Sequence, residues 1–258
     1  MLDYTNYQHA SIYFVYSRTE IPNLSGKAVF MKKLFVFALA AMLITTVITS
    51  ITTNLGGIKN AYAQIQAGQS DLTLSILIKQ GQPYQGSKSA PVSLIMFGDF
   101  QCHDCGRFVK NTEPQINSTY IQTGKVIFVF VHIPNKGFDS WPAALAAQCA
   151  NEQGKFWQFH NLLYNNQGPI DSGWVSNANL KKFASQIPGL NMQQFNSCFE
   201  NQKYKPLAEH NLAIAHAFGF TNSPSFIVAK SDGSNPQKIE GAQPFIAFKT
   251  VIDKELGG

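Results

Sequence analysis

The sequence predicts an α/β fold, a mixed sheet with a block of helices inserted into it. Three patterns carry that reading. A strand, a helix and a second strand follow one another between residues 92 and 133; helical segments alone fill the stretch from about 138 to 219; two strands and a helix close the chain. With 258 residues, 45% hydrophobic and 20 Phe among them, there is material for a sizeable core.

The elements follow in order. Asp71–Ile78 (DLTLSILI) reads as a short strand, and the Gly- and Pro-containing stretch QGQPYQGSKSAP after it as a loop. Val92–Phe97 (VSLIMF) is a buried strand, and Gln101–Cys105 lies at the turn into a helix. Phe108, Ile116 and Tyr120 recur there at near-helical spacing, with Pro114 as a kink. Lys125–Ile133 (KVIFVFVHI) is β-branched and aromatic and bounded by Gly124 and Pro134, so it makes a parallel pair with the first buried strand. Pro142 fits the first position of a helix that Gly154 breaks. Phe156, Phe159 and Leu163 mark one face of the next, a core stripe. Asn179–Ile187 and Asn191–Asn201 are two shorter helices around Pro188-Gly189, and Leu207, Ala208, Leu212 and Ala215 stripe a longer one ending at Gly219. After Pro224, strands Ser225–Ala229 and Gln237–Glu240 join through Asp232-Gly233 as a hairpin, and Phe245, Phe248, Ile252 and Leu256 line a closing helix.

The N-terminal part is different. Lys32-Lys33 precedes Leu34–Ile51, a run without a charged side chain whose length is at the lower edge of the roughly 17–25 residues a bilayer span needs. Ala61-Tyr62-Ala63 supplies small residues for cleavage before Gln64, so residues 31–63 read as a signal peptide or as an uncleaved membrane anchor. Either way the chain from Gln64 onward, the domain 64–258, is exported. Residues 1–30 precede what looks like a complete signal beginning at Met31, and are left unassigned as a start placed too early or a cytoplasmic tail. Of 20 basic and 15 acidic residues, five basic (Arg18, Lys27, Lys32, Lys33, Lys59) and two acidic (Asp3, Glu20) precede Gln64. The remainder is nearly balanced and has no basic stripe, which argues against nucleic acid as a partner.

Chemistry concentrates at Cys102-His103-Asp104-Cys105. Two cysteines three apart at the first turn of a helix can close a small disulfide, and the helix N-terminus stabilises a thiolate. The expected arrangement has Cys102 exposed as nucleophile and Cys105 buried as resolving thiol. His103, when protonated, lowers the Cys102 pKa, while Asp104 raises it. Unit charges ~4 Å apart interact by ~1 kcal/mol in water and ~4 kcal/mol at an effective dielectric of ~20, so geometry decides the sign. A structural zinc site normally needs two such knuckles, and the other cysteines stand alone, so no metal is expected. His132, His160, His210 and His216 are scattered and read as structural or solvent-facing. Pro224 is open to a cis or an ordinary trans reading on its own.

The segment APVSLIMFGDFQCHDCGRF (Ala90–Phe108), with CANEQGKFW (Cys149–Trp157), FNSC (Phe195–Cys198) and SPSF (Ser223–Phe226), resembles the DsbA-like thiol-disulfide oxidoreductases over about residues 70–256. The combination carries the likeness: C-x-x-C alone is common, whereas DFQC-x-x-C followed by the QGKFW helix is specific. The resemblance implies a thioredoxin-like fold with an inserted helical subdomain and a protein disulfide oxidoreductase that needs no cofactor. It implies that Pro224 is cis and faces the cysteines, with Ser223 backbone groups free to pair with substrate. It also implies a structural disulfide between Cys149 and Cys198, against which stand two separate buried thiols or a second redox relay. The implied partners are reduced exported client proteins and a quinone-coupled membrane protein of the DsbB or vitamin K epoxide reductase type. Three departures bear on the chemistry. His103 and Asp104 replace the usual residues between the cysteines; Met96 occupies the place of an acid that handles the proton of the buried thiol, leaving Asp99 or Asp104 as substitutes; and Asn222-Ser223-Pro224 replaces Gly-Thr-Pro. A disulfide reductase or isomerase, or a metal-binding module of the same fold, are the alternative functions.

Overall fold

The computed structural model of the protein describes residues 76–77 and 82–258. The expected extension 1–30 and leader 31–63 lie outside the described residues. Among the described residues no helix is long and apolar enough to cross a membrane.

The sheet has five strands: β1 (Tyr84–Gln85), β2 (Val92–Gly98), β3 (Val126–His132), β4 (Ser225–Lys230) and β5 (Gln237–Glu240), in the order β1-β3-β2-β4-β5. The pair β2–β3 is parallel, with Met96 opposite Phe130, and the pairs β1–β3, β2–β4 and β4–β5 are antiparallel. Between β2 and β3 come α1 (His103–Asn111), α2 (Glu113–Ile116) and a π turn (Asn117–Ile121). Five helices separate β3 from β4: α3 (Ser140–Asn151), α4 (Phe156–Asn165), α5 (Asn177–Ser185), α6 (Met192–Glu200) and α7 (Lys205–Ala217). The last, α8 (Phe245–Leu256), closes the chain.

Every residue of β2 and β3 is buried, as expected of strands covered on both faces. Alternation assigns the faces. Val92, Leu94, Met96, Val126, Phe128, Phe130, Phe226 and Val228 pack into one core with α1, α8 and the inserted helices. Ile95, Phe97, Ile127, Val129, Val131, Ile227 and Ala229 face a second core with Ile214, Ala215 and Phe218 of α7 and its end.

Three expectations change. Ile76 and Leu77, within the expected strand Asp71–Ile78, are helical, and Leu77 is buried in the second core. An apolar run this short fits either element, and the need to cover a sheet face decides. The expected loop contains β1, an edge bridge opposite Phe128 and Val129, anchored further by Phe130 N–H to Pro83 O at 2.9 Å and by Trp157 Nε1–H to Tyr84 O at 2.8 Å. Helix α3 begins at Ser140, so Pro142 is its third residue. Its missing N–H costs nothing there, because the first-turn N–H groups lack intrahelical acceptors anyway.

Candidate active site

Strand β2 delivers the chain to Asp99-Phe100-Gln101, and Cys102 is the N-cap of α1 (φ −75°, ψ 113°). Its sulfur does what a serine oxygen does at that position, accepting the Cys105 N–H at 3.3 Å. Gly106 N–H reaches Cys102 O at 3.1 Å, starting the helix. A Cβ at Gly106 would lie 2.2 Å from Oε1 of Gln167, so a larger residue there would displace that side chain. That side chain clamps the turn from outside, donating through Nε2 to Phe100 O (2.7 Å) and Cys102 O (2.9 Å).

Across from α1 runs the loop into β4, with a cis Ser223–Pro224 peptide bond. The Cys102 thiol donates to Ser223 O at 3.0 Å. The expected contrast in exposure is absent: Cys102 is only 3% exposed and Cys105 is fully buried. The cap geometry tucks the first sulfur back over the helix start, and the buried Ser223 and Pro224 stand opposite it.

The two thiols nevertheless differ sharply. The hydrogen bond from the Cys105 side chain holds the Cys102 thiol down at about 6, against the cost of burial, with further help from Ser223, the Cys105 N–H and the positive charge of Lys136. Burial and the neighbouring Cys102 push Cys105 well above the ordinary thiol range. At neutral pH the pair therefore holds one thiolate and one proton.

His103 and Asp104 do not lead this tuning. The His103 ring reaches toward Gly168 O at 3.4 Å, and Asp104 pairs with Arg107 at 3.0 Å on a face about half exposed. The leading external charge is Lys136, from the loop after β3.

That loop is held by Asp99, a buried carboxylate. One oxygen accepts from Gln101 N–H (2.8 Å) and Ser140 Oγ–H (2.9 Å), the other from the N–H groups of Asn135 (2.8 Å) and Lys136 (2.9 Å). Burial raises its pKa and these four donors oppose the rise. Asp99 is thus a turn residue and also a clamp between the cysteine turn and the start of α3. Gln101 and Asp171 extend the clamp, with Asp171 N–H to Gln101 Oε1 at 2.7 Å and Gln101 Nε2–H to Asp171 Oδ1 at 3.0 Å. Sequence reasoning missed Gln101, Lys136 and Asp171 because only the fold brings them together.

Behind the turn, Phe100 stacks on Phe130 and touches His132, His160 and Tyr164. Both histidines are buried, and burial pushes them down to about 3 and about 4, so they are neutral packing groups. Met96 is buried in the same core as Cys105. Elsewhere, Cys149 of α3 and Cys198 of α6 form a disulfide with Cα atoms 5.8 Å apart. Among the described residues no three His, Cys, Asp or Glu side chains gather where they could hold a metal.

The sequence profile of the family described as thioredoxin matches residues 79–253. The chain belongs to the thioredoxin family. Its relatives place it in the DsbA-like branch. "Disulfide bond formation protein D" of Bacillus subtilis (strain 168) is 26% identical over 181 residues, which are 69% of this chain and 79% of that protein. The crystal structure of oxidised BdbD from Bacillus subtilis superposes with a TM-score of 0.62 at 26% identity, covering 69% of this chain and 95% of that one. Alpha-DsbA1 of Wolbachia pipientis gives a TM-score of 0.59 at 26% identity over 70% of this chain and 96% of that one. This DsbA-like protein is a disulfide oxidoreductase with the mixed sheet and helical insertion that its sequence implied.

Proposed function

We propose that this DsbA-like protein is exported and donates a Cys102–Cys105 disulfide to reduced client proteins. The observation that carries the reading is the asymmetry of the pair: a Cys102 sulfur capping a helix with its pKa at about 6, beside a Cys105 thiol held protonated by burial. A client thiolate attacks Cys102 Sγ, forming a mixed disulfide; the bond to Cys105 breaks, and Cys105 leaves with the electron pair and takes up a proton. A second client thiolate then attacks the client sulfur of the mixed disulfide. Cys102 leaves as a thiolate, and two electrons have passed from client to enzyme. A low pKa makes Cys102 the better leaving group, which favours oxidation of the client.

Ser223, next to the cis bond and within reach of Cys102, and Pro224 form the surface on which an extended client segment lies against the sulfur. Export rests on the Lys32-Lys33, Leu34–Ile51 and Ala61-Tyr62-Ala63 pattern. A quinone-coupled membrane protein of the DsbB or vitamin K epoxide reductase type returns the pair to the disulfide.

Trapping tests this. With Cys105→Ala, client proteins accumulate disulfide-linked to Cys102 and are released by reductant. If no mixed disulfide forms with reduced exported proteins, client donation is wrong. A reduction potential as low as that of thioredoxin, about −270 mV, would instead make the protein a reductase.

A further inference from the structure

Among the described residues, large apolar side chains are exposed at Tyr84, Phe138, Ile170 and Ile246. Two of these flank the cysteine turn, and Asp171 ties them to it. Its carboxylate accepts from Gln101 Nε2–H and from Asp139 N–H at 3.0 Å each, and its own N–H donates to Gln101 Oε1 at 2.7 Å. Phe138 precedes Asp139 and Ile170 precedes Asp171, so both stand one residue from this knot, and Gln101 is the neighbour of Cys102. Phe138 is 90% exposed, apolar surface left in water beside a reactive sulfur.

From Phe138 an apolar line leads away from that sulfur along the helical insertion. Asp139 already has helical dihedrals (φ −71°, ψ −11°) and α3 follows at once, so the spacing of 138, 142 and 145 puts them on one face. Pro142 and Leu145 line a cleft of about 320 Å³ between α3, α5 and α6. Leu145 and Phe199, each 5% exposed, form its floor; Asn177 and the Lys181–Glu200 ion pair (2.6 Å) form its rim. The chain leading into α5 is held against the start of α3, where Gly173 N–H donates to Asp139 Oδ2 at 3.1 Å. An apolar floor inside a polar rim suits an apolar side chain.

The chemistry at Cys102 names the occupant. A client joined to Cys102 through a mixed disulfide meets the cleft as an intramolecular site, at an effective concentration on the order of mM, so a shallow cleft suffices. Ser140, which accepts from Gln101 Nε2–H at 3.0 Å, begins α3. Leu145 lies further along that helix by about 7.5 Å at 1.5 Å per residue. With the step from Cys102 to Ser140 added, the way from sulfur to cleft is about 10–15 Å, or about three to five residues of extended chain.

We propose that this track selects clients: an extended client segment runs from Cys102 past Phe138 and Ile170 and seats an apolar side chain, about three to five residues from its reactive cysteine, on Leu145 and Phe199. This selectivity rests on the client donation proposed above.

The test uses the full chain with Cys105→Ala, carrying Cys102 as a mixed disulfide with glutathione. It is equilibrated with reduced single-cysteine peptides of Gly, Ser and Asn, whose thiolate displaces glutathione as a thiolate. One peptide has Leu about four residues before the cysteine, one has Leu about four residues after it, and one has Ser at both places. Mass spectrometry reads the fractions. At least one Leu peptide is held about tenfold more strongly than the Ser peptide, as partial burial of one apolar side chain provides. Phe138→Ser and Leu145→Ala each cut that preference to about threefold or less. Phe138 is exposed, so its variant decides the matter should Leu145→Ala fail to fold. Equal occupancy by all three peptides overturns the track and leaves client donation standing, whereas no mixed disulfide with any peptide overturns both. A Leu preference unchanged in both variants also overturns the track. So does a chain that sediments as a dimer and becomes a monomer with Phe138→Ser, which gives this face to a second copy.

Discussion

The protein carries two cysteine pairs whose surroundings make different chemistry out of the same atoms. Cys149 and Cys198 sit within α3 and α6, far along both helices, 49 residues apart in sequence and joined to each other. Cys102 and Cys105 are three residues apart at a helix start, where one sulfur takes the place of a capping oxygen and receives the N–H of the other residue. Both pairs are buried. What separates them is the supply of donors and charge: the first turn of α1, Ser223 and Lys136 all act on Cys102. Burial alone therefore does not make a cysteine inert, provided that the thiolate finds hydrogen bonds where it is buried.

The sharpest way to break the comparison is to remove one pair at a time. Cys102→Ser reduces disulfide exchange with reduced substrate to the uncatalysed background, in a stopped-flow or fluorescence assay. The Cys149→Ala/Cys198→Ala double variant keeps exchange but loses about 4 kcal/mol of stability in urea denaturation, the entropy of a closed loop of that length. Loss of exchange in the double variant would instead make the second pair a relay.

The next effect is the pH dependence of the reduced state. Alkylation of Cys102 follows a titration with its midpoint at about pH 6. Because the folded value lies below the unfolded one, the unfolded chain binds more protons between them. The reduced fold therefore gains about 2 kcal/mol between about pH 6 and pH 8 that the oxidised fold does not. That contribution is lost as the pH falls through the folded value. A flat difference between reduced and oxidised stabilities over that window would contradict the thiolate.

Smaller still is Lys136→Gln, which raises the alkylation midpoint by several tenths of a unit through loss of one partly screened charge. The smallest effect belongs to the residues inside the motif. His103→Ala and Asp104→Asn shift that midpoint by less than about half a unit, since Asp104 already pairs with exposed Arg107. A larger shift from Asp104→Asn than from Lys136→Gln would restore the local picture of tuning.

Much of this was legible because it is local. Val92–Phe97 and Lys125–Ile133 announce buried strands through composition, and Phe245, Phe248, Ile252 and Leu256 announce α8 through spacing. The position of Cys102 at a strand–helix turn could be read from the same pattern. The tuning could not. Lys136 is 34 residues from Cys102, and Asp171 is 70 from Gln101, so their roles exist only once β3 and the α4–α5 loop are folded against α1. β1 was hidden for a related reason: two residues inside a Gly- and Pro-containing stretch are too few to show a strand pattern, and they take strand geometry from the open edge of β3. Asp99 was half legible, as a turn residue whose second oxygen is engaged elsewhere.

That second oxygen has a practical consequence for building hybrids. A graft that exchanged the helical block with a cut immediately after β3 would leave three of the four donors to the Asp99 carboxylate, the main-chain N–H groups of Asn135 and Lys136 and the Ser140 hydroxyl, to be placed by the incoming segment. The donor segment would have to be recipient-derived through Ser140, so the natural seam between scaffold and cap lies inside the first turn of α3 rather than at the strand's end.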